Sequence, residues 1–177
     1  MTLKPDSGRT SGGGADKRRE NWYDTAQICP NGHVINSQSI SAPHLNRKFC
    51  ERCGAKTITK CPYCSTIIKG NYHSGPNTAS FTRQSFCPDC SRPYPWIEIK
   101  LKAARDLSDE LESLSPEERD LLKKSIDDIV RDTPQTTVAV SRFKRLVAKA
   151  GPVAAEGFKK ILWDIASEFA KRQIWAS

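Results

Sequence analysis

The sequence predicts a small β-rich amino-terminal part, stabilised by something other than a large apolar core, followed by an all-α carboxy-terminal region. Hydrophobic residues make up only 37% of the 177 residues, which is low for a chain that relies on apolar burial alone. All seven cysteines lie in the segment 26–92, where short β-favouring stretches alternate with turn-forming residues. Residues 93–177 contain no cysteine and carry apolar residues at helical spacing.

Residues 1–25 are rich in glycine, serine and charged residues and are predicted to form a disordered tail. They lack the apolar segment of a secretory signal peptide, and the chain contains no run of apolar residues long enough to span a bilayer. We therefore expect a cytoplasmic protein, in which thiols bind metal more readily than they form disulfides. The odd number of cysteines agrees, because seven cannot all pair within one chain.

The cysteines are arranged in pairs that are typical of metal-binding turns. Cys29 and His33 form a C-x3-H pair, and three later pairs have the C-x2-C spacing. Two residues between thiolates make a tight turn that directs both sulfurs at one ion, so two such pairs supply four ligands. Pairing in chain order gives the two predicted metal sites: Cys29, His33, Cys50 and Cys53 in site 1, and Cys61, Cys64, Cys87 and Cys90 in site 2.

Two ways of combining these pairs remain open from the sequence. A cross-braced arrangement, as in RING and FYVE modules, would join the first pair to the third and the second pair to the fourth. Seven residues separate Cys53 from Cys61, a length that suits a linker between two ribbons and is long for the middle of a RING. The spacing therefore favours sequential pairing.

The donor types point to zinc. A histidine among three cysteines suits Zn²⁺ better than an iron–sulfur cluster, and a redox C-x2-C pair would need an α/β fold that this sequence does not predict. Four protein ligands close the coordination shell, so both sites are predicted to be structural. The predicted fold class is thus a small metal-stabilised β fold, a double zinc ribbon over residues 26–92 with two Zn²⁺ per chain. It is joined to an all-α carboxy-terminal bundle or set of helical hairpins over residues 93–177.

About four helices are predicted in the carboxy-terminal region. The first runs over residues 96–114, and the second follows Ser115, which begins a capping-box motif. Thr133, followed by proline, is predicted to cap the third helix. Gly151 ends the third helix, and a single fourth helix then extends through Phe169.

The formal charge of +8 is concentrated in the cysteine segment, where residues 29–92 carry eight basic and two acidic side chains. Seven zinc-bound thiolates and two zinc ions would reduce the charge of this segment to about +3. The same segment supplies the candidate partner-binding residues: Arg47, Lys48, Arg52, Lys56, Lys60, Lys69, Tyr72, Phe81, Arg83 and Phe86. Phe81, Arg83 and Phe86, with Tyr72 nearby, are candidates for anchoring a protein partner, although covering a zinc site is the commoner role for such residues.

Two other kinds of partner are alternatives. Basic side chains near Phe49, Tyr63 and Tyr72 suit contact with phosphates and bases, as in a regulatory nucleic-acid-binding ribbon protein. The apolar face of the last helix would allow self-association or peripheral membrane contact. Such a stripe is more often bundle core, and the acidic residues on this helix disfavour a membrane surface.

No catalytic arrangement is predicted. The sequence assembles no Ser/His/Asp order, phosphate-binding loop or metal set with an open position, so we expect the protein not to be an enzyme. His44 and His73, the two histidines outside the metal-binding pairs, are predicted to be exposed loop residues.

Longer motifs surround the predicted ligands. They are Tyr23-Asp24-Thr25-Ala26-Gln27-Ile28-Cys29, Asn31-Gly32-His33-Val34-Ile35-Asn36, Cys53-Gly54-Ala55-Lys56-Thr57-Ile58, Pro93-Tyr94-Pro95-Trp96 and Val130-Arg131-Asp132-Thr133-Pro134. Together they resemble a bacterial family of uncharacterised zinc-ribbon proteins, over the chain after about residue 20. The resemblance implies a bacterial cytosolic protein with the same eight metal ligands, and it implies no reaction.

We predict that the purified chain holds two zinc ions and that chelation unfolds its cysteine-rich segment. Zinc supplies on the order of 10–16 kcal/mol of folding free energy in small modules of this kind. Elemental analysis of the protein, together with circular dichroism before and after chelation, measures both. One metal ion per chain, or none, would contradict the two predicted sites.

Overall fold

The computed structural model describes residues 21–74, 77–78 and 81–175. This part of the chain consists of a metal-site-bearing β region followed by a helical region, as the sequence predicts. The strands are β1 (Trp22–Thr25), β2 (Gln27–Ile28), β3 (Val34–Asn36), β4 (Lys69–Ser74) and β5 (Asn77–Thr78). The helices are a short 3-10 helix (Pro43–Leu45), α1 (Pro95–Asp109), α2 (Pro116–Ile129), α3 (Gln135–Ala150), α4 (Pro152–Leu162) and α5 (Glu168–Trp175).

The β region contains two small antiparallel sheets. One has the strand order β1-β4-β5, and the other pairs β2 with β3. Isolated bridges complete the two ribbons, among them Ile28 with Ile58 and Lys60 with Ile67. Strands of two to six residues are too short to be stable alone, so this region depends on its metal sites and on packing against the helices.

The ordered chain begins earlier than predicted. The disordered tail assigned to residues 1–25 falls partly on residues 1–20, which lie outside the described residues. Its last four residues, Trp22–Thr25, form strand β1 and pair with β4. This short stretch shows no period-2 pattern that would have predicted a strand, because only its second half is buried.

A buried carboxylate connects the two sheets. The side chain of Asp24 is fully buried and accepts hydrogen bonds from the backbone N–H groups of Thr25 (2.6 Å), Ile40 (2.9 Å) and Ser41 (3.2 Å). The Ser41 hydroxyl donates to it at 2.6 Å, and His73 Nε2 lies 3.1 Å away. Asp24 thus ties the loop after β3 to strands β1 and β4.

His73 is not the exposed loop histidine that the sequence predicts. It lies in β4 opposite Trp22, and the two rings stack with their centroids 4.5 Å apart. Only 21% of its side chain is exposed, because the other ring edge faces Asp24. His44 is exposed, in the short 3-10 helix.

The first two helices lie where the sequence predicts them, but α1 is shorter than predicted. Helix α1 ends at Asp109 rather than near Leu114, although Leu114 is still buried, at the end of a tight turn. The predicted capping box of α2 is confirmed: the Ser115 hydroxyl accepts from the Glu118 backbone N–H, and the Glu118 carboxylate accepts from the Ser115 N–H.

The last two predicted helices differ more. No side-chain cap begins α3, since Pro134 occupies the N-cap position, and the backbone N–H of Thr133 donates to Thr136 Oγ1 instead. The single fourth helix is wrong, because the chain divides into α4 and α5. Ser167 causes the division: its N–H donates to the Ile129 carbonyl (3.0 Å), and its hydroxyl accepts from the Ala170 N–H (3.2 Å), as an N-cap does.

One apolar core runs through both predicted regions of the chain. It joins Ile68 and the cysteines Cys61 and Cys87 of the β region to Trp96 and to the buried faces of the helices. The Trp96 indole N–H donates to the Gln84 carbonyl (3.0 Å), which fixes α1 against the second ribbon. None of the described helices has the length and apolar character that crossing a membrane requires.

We predict that Asp24→Asn lowers the free energy of unfolding at neutral pH by about 2 kcal/mol, since an amide cannot accept from every donor that surrounds this carboxylate. Burial alone would raise the pKa of Asp24, but the hydrogen bonds from Ser41, Ile40, Thr25 and His73 outweigh it and lower the pKa overall. The stabilisation is therefore present above the pKa of the unfolded carboxyl and lost as pH falls through the lowered folded value.

Chemical denaturation of both proteins from neutral to acidic pH tests this, and the difference between them should shrink as the pH falls. Asp106→Asn is the matched control, because Asp106 is 61% exposed and forms only a surface ion pair with Lys102. It should change the free energy of unfolding by less than about 0.5 kcal/mol. Equal losses in the two variants would contradict the role given to Asp24.

Candidate metal centres

The first pair of predicted ligands lies on a turn between β2 and β3. The Cys29 N–H donates to the His33 carbonyl (3.0 Å), and the Gly32 N–H donates to the Cys29 carbonyl (2.8 Å). Gly32 has a φ of +85°, and a Cβ there would lie 2.6 Å from Arg83 Nη1 and 2.9 Å from Trp96 Cβ. Glycine is therefore required at this turn by both its backbone conformation and the available space.

The other three pairs share one turn geometry. In each, the residue four positions after the first cysteine donates its N–H to that cysteine's carbonyl. The hydrogen bonds run from Gly54 to Cys50 (2.8 Å), from Ser65 to Cys61 (2.9 Å) and from Ser91 to Cys87 (3.0 Å). The donors have φ values of +70°, +63° and +56°. Glycine adopts this conformation freely, whereas a serine in it costs on the order of 1 kcal/mol of conformational free energy. The two serines of site 2 therefore hold an unfavourable conformation because the metal-binding turn requires it.

The four donors of site 1 have the spacing of a tetrahedral ion. Cys29 Sγ lies 3.7 Å from Cys53 Sγ, and His33 Nδ1 lies 3.5 Å from Cys29 Sγ and 3.4 Å from Cys50 Sγ. Metal–sulfur bonds of about 2.3 Å in a tetrahedron place neighbouring sulfurs about 3.8 Å apart, and the shorter metal–nitrogen bond reduces that separation. The residues present therefore fit Zn²⁺, with His33 contributing its Nδ1 atom.

Site 2 has the same spacing with sulfur donors alone. Cys61 Sγ lies 3.8 Å from Cys90 Sγ, and Cys64 Sγ lies 3.5 Å from Cys87 Sγ. All seven cysteines are free thiols, and these sulfur separations are far beyond a disulfide bond of about 2.05 Å. Four sulfurs at this separation fit a closed tetrahedral site in which every ligand is a cysteine thiolate.

The structure groups the donors in the sequential pairing. Within each group, the ligand atoms all lie within 4.8 Å of one another. Site 1 takes the first and second pairs of the chain, and site 2 takes the third and fourth, whereas a cross-braced fold would alternate them. The bridge between Ile28 and Ile58 explains this: it returns the chain to the first ribbon before Cys61 starts the second.

Hydrogen bonds favour one thiolate in each site. The amide of Asn31, 3.3 Å from Cys53 Sγ, and a backbone N–H lower the pKa of Cys53 to about 6. The side chain and backbone N–H of Thr66 lower the pKa of Cys64 to about 6. Sequence reasoning missed both residues. A hydroxyl residue two positions after a cysteine is a signal that would have found Thr66, whereas Asn31 is 22 residues from Cys53 and has no local signal.

The close spacing of the sulfur atoms opposes deprotonation of all the thiols in each site. A backbone N–H draws the pKa of Cys90 down, but burial and the neighbouring sulfurs of site 2 outweigh it and raise the pKa to about 12. Burial likewise raises the pKa of Cys29. The three thiolates of site 1 and the four of site 2 cannot share so small a volume without a cation. Metal binding at either site would therefore release protons and would strengthen as pH rises.

The two sites differ in how deeply they are embedded. Cys61 and Cys87 of site 2 belong to the apolar core, and Tyr94 beside them is fully buried. The hydroxyl of Tyr63, within the turn of the third pair, donates to Glu98 of helix α1 (2.6 Å). Site 1 is more peripheral, and Arg83 connects it to the helical region by donating to the Gly32 carbonyl beside the ring of Trp96.

The basic candidates for partner binding are displayed on the surface of the ribbons. The exposed members are Arg47, Lys48, Arg52, Lys56, Lys60 and Lys69. Three of them contact side chains nearby: Arg47 pairs with Glu51 (3.4 Å), Lys48 lies over Phe49, and Lys69 lies over Tyr23. These residues remain available to a partner.

The remaining candidates have structural roles. Phe81 and Phe86 are half-buried and pack against the core that includes Cys61 and Cys87, so of the two roles that the sequence left open they take the covering one rather than that of free anchors. The Arg83 guanidinium donates to Gly32 and lies 5.9 Å from the centre of the Trp96 ring. Tyr72 is half-buried and packs against Tyr23, with 4.7 Å between ring centroids. Only their packing in three dimensions reveals these roles.

Comparison with known proteins gives one match. A family model described as "Uncharacterized protein conserved in bacteria (DUF2321)" matches residues 22–174. No curated protein and no solved structure matches the chain. The matched range includes all eight donors of the two sites and almost every described element.

We predict that Cys53→Ser and Cys64→Ser each reduce the zinc content from two ions to one, with different effects on the helices. Both cysteines are exposed, so the two substitutions are matched. Site 2 also includes Cys61 and Cys87 of the apolar core, so its loss should lower the thermal midpoint of helix unfolding, whereas loss of site 1 should leave that midpoint nearly unchanged.

Elemental analysis and thermal melting followed by circular dichroism measure both effects, with each variant serving as the control for the other. Equal shifts of the helical midpoint would show that site 2 is no more embedded in the fold than site 1.

Proposed function

This chain belongs to the bacterial family described as uncharacterized proteins conserved in bacteria (DUF2321), and we propose that it is a non-enzymatic zinc protein that docks a partner protein. Its two zinc ions would be structural, and the protein would act as an adaptor in the reducing cytoplasm, where its thiols stay available to metal.

The observation that carries this proposal is the closure of both donor sets. Each contains four soft protein donors within 4.8 Å of one another, the number that fills a tetrahedral shell. A catalytic zinc usually has three protein ligands and keeps its fourth position for water or substrate. Bound here, zinc would supply folding free energy, and the chain's own turns and N–H groups would orient and stabilise the thiolates.

The carboxylate and imidazole groups of the β region also support a non-enzymatic role. Asp24 and His73 form the contact that most resembles a catalytic pair, at 3.1 Å. The Asp24 side chain is fully buried and is saturated by donors that hold the loop after β3. This pair therefore serves the fold rather than a substrate.

The surface of the ribbons suits an adaptor. Several large apolar side chains are displayed there with exposed fractions of about half: Ile40 (59%), Leu45 (47%), Phe49 (51%) and Ile67 (50%). A rigid ribbon that already holds such side chains in fixed positions loses less conformational entropy of its own when a partner binds.

A second candidate function, nucleic-acid binding, is favoured by cation–aromatic pairs on the same ribbons. Lys69 lies 5.1 Å from the centre of the Tyr23 ring, and Arg92 lies 4.7 Å from that of Tyr63. Such pairs offer a phosphate contact beside a stacking surface. The apolar face of helix α4, by contrast, gives little support to self-association or membrane contact, because Ala154, Phe158 and Leu162 on that face are buried in the core.

We expect no salt-sensitive, micromolar binding of the zinc-loaded protein to single-stranded or duplex DNA or RNA. Fluorescence anisotropy at about 50 and 200 mM salt measures this, because phosphate contacts lose affinity steeply over that range. Micromolar binding that weakens with salt, and that is abolished by Lys69→Glu with Arg92→Glu, would replace the adaptor function with the nucleic-acid function. Affinity capture from the native cell, comparing the wild-type chain with Cys53→Ser, then tests whether a protein partner requires site 1.

A further inference from the structure

We propose that a groove on the first ribbon binds an extended acidic peptide segment of a partner protein, with an apolar side chain as its anchor. This inference rests on the adaptor function and names the chemistry of its partner. The groove, called the ribbon groove below, consists of two adjoining cavities of about 300 and 490 Å³ that share His33, Val34 and Arg52.

The first cavity has an apolar floor. Val34, Leu45 and Phe49 line it and are 44%, 47% and 51% exposed. Three large apolar side chains exposed around one cavity form a patch rather than scattered exposure, and such patches mark binding sites. A volume of about 300 Å³ lies at the lower end of the range that holds small ligands, which suits one anchoring side chain.

Strand β3 adds a backbone surface to the same cavity. Val34 and Ile35 of this strand line the cavity, and β3 pairs with β2 on one side only among the described strands. A strand with an open edge is able to hydrogen-bond an extended peptide through its main chain, while the cavity beside it receives a side chain. This geometry specifies an extended segment rather than a helix.

The charges of the groove specify the rest of the peptide. Its walls carry four basic side chains, Arg47, Arg52, Arg83 and Lys100, against the carboxylates Glu51 and Asp164. Ion pairs within the groove occupy both carboxylates, Arg47 with Glu51 (3.4 Å) and Lys100 with Asp164 (2.5 Å). No described carboxylate forms an ion pair with Arg52. Arg83 donates to the Gly32 carbonyl and is attracted by the charge of Asp164, which is itself paired with Lys100.

These two guanidinium groups outweigh the charge of the metal site beneath them. A filled site 1, with three thiolates and one Zn²⁺, would carry about one negative charge. The groove is therefore positive on balance. The exposed guanidinium group of Arg52 is suited to bind a carboxylate through paired hydrogen bonds, while Arg83, held by Gly32, contributes its charge.

The apolar floor favours a peptide over a nucleic acid. Single-stranded nucleic acids stack successive bases on several aromatic rings. Among the described residues that line the groove, Phe49 is the one phenylalanine, tyrosine or tryptophan, and it lies beside the aliphatic Val34 and Leu45. An aliphatic floor flanked by guanidinium groups matches an apolar residue between acidic ones.

The test titrates the ¹⁵N-labelled, zinc-loaded full chain with defined pools of short synthetic peptides. The probe pool has a central leucine, isoleucine or phenylalanine with two acidic residues on each side. One matched pool has basic flanking residues, and another has glycine at the centre. We expect the acidic pool to shift the amide resonances of residues 33–35 and 49–52, and the two matched pools to leave them unchanged.

Two groove variants and two control variants extend the test. Val34→Asp and Arg52→Glu should each weaken binding of the acidic pool roughly tenfold or more, through the lost anchor site and the reversed charge. Val153→Asp and Lys102→Glu make similar changes on exposed positions of α4 and α1 outside the groove and should bind as the wild type does. Zinc content and the remaining amide resonances report whether each variant is folded.

Several results would overturn the proposal: no shifts with the acidic pool, equal shifts with the basic pool, or groove variants that bind like the wild type. An oligonucleotide that shifts the same amides when acidic peptides do not would also overturn it. If the acidic peptides do not bind although the chain retains two zinc ions, only this inference is wrong. If the chain holds fewer than two zinc ions, the proposed zinc function itself is wrong.

Discussion

The structure of the β region depends on one constraint, which is that four donors must meet within a single tetrahedron at each site. That requirement fixes the turns. Gly32 and Gly54 adopt positive φ values without strain, whereas Ser65 and Ser91 hold theirs at a cost. It also explains why strands of only two to six residues persist, because the metal sites add to the apolar packing against the helices, which such short strands could not replace alone.

The two sites differ in how closely they are packed against the helical core. Site 2 is continuous with the helical core through Cys61 and Cys87, so its geometry and the packing of the helices support each other. Site 1 holds a more exposed ribbon, in which Arg83 connects the turn of the first ligand pair to the helical region by donating to the Gly32 carbonyl. Site 2, which is embedded in the core, is suited to stabilising the fold. Site 1, which is peripheral, is suited to holding a binding surface in place.

That peripheral position connects the metal to the proposed function. His33 and Cys50, which are ligands of site 1, also line the apolar cavity of the ribbon groove. The metal would therefore set the shape of the groove without taking part in any reaction. The Asp24 network strengthens this arrangement, since it holds the loop between β3 and Leu45 against the first sheet.

The sequence by itself determined the features that depend on local spacing. Ligand spacing defined the eight donors, the helical periodicity of residues 93–177 indicated the class of the second region, and Ser115 with Glu118 predicted the capping box, because a few neighbouring residues set each of these. Tertiary structure alone decided the burial of Asp24 and His73, the core roles of Phe81 and Phe86, and the division of the last helix at Ser167. Each of these depends on a partner distant in the chain, such as Ile129 for Ser167, and local patterns contain no signal for such contacts.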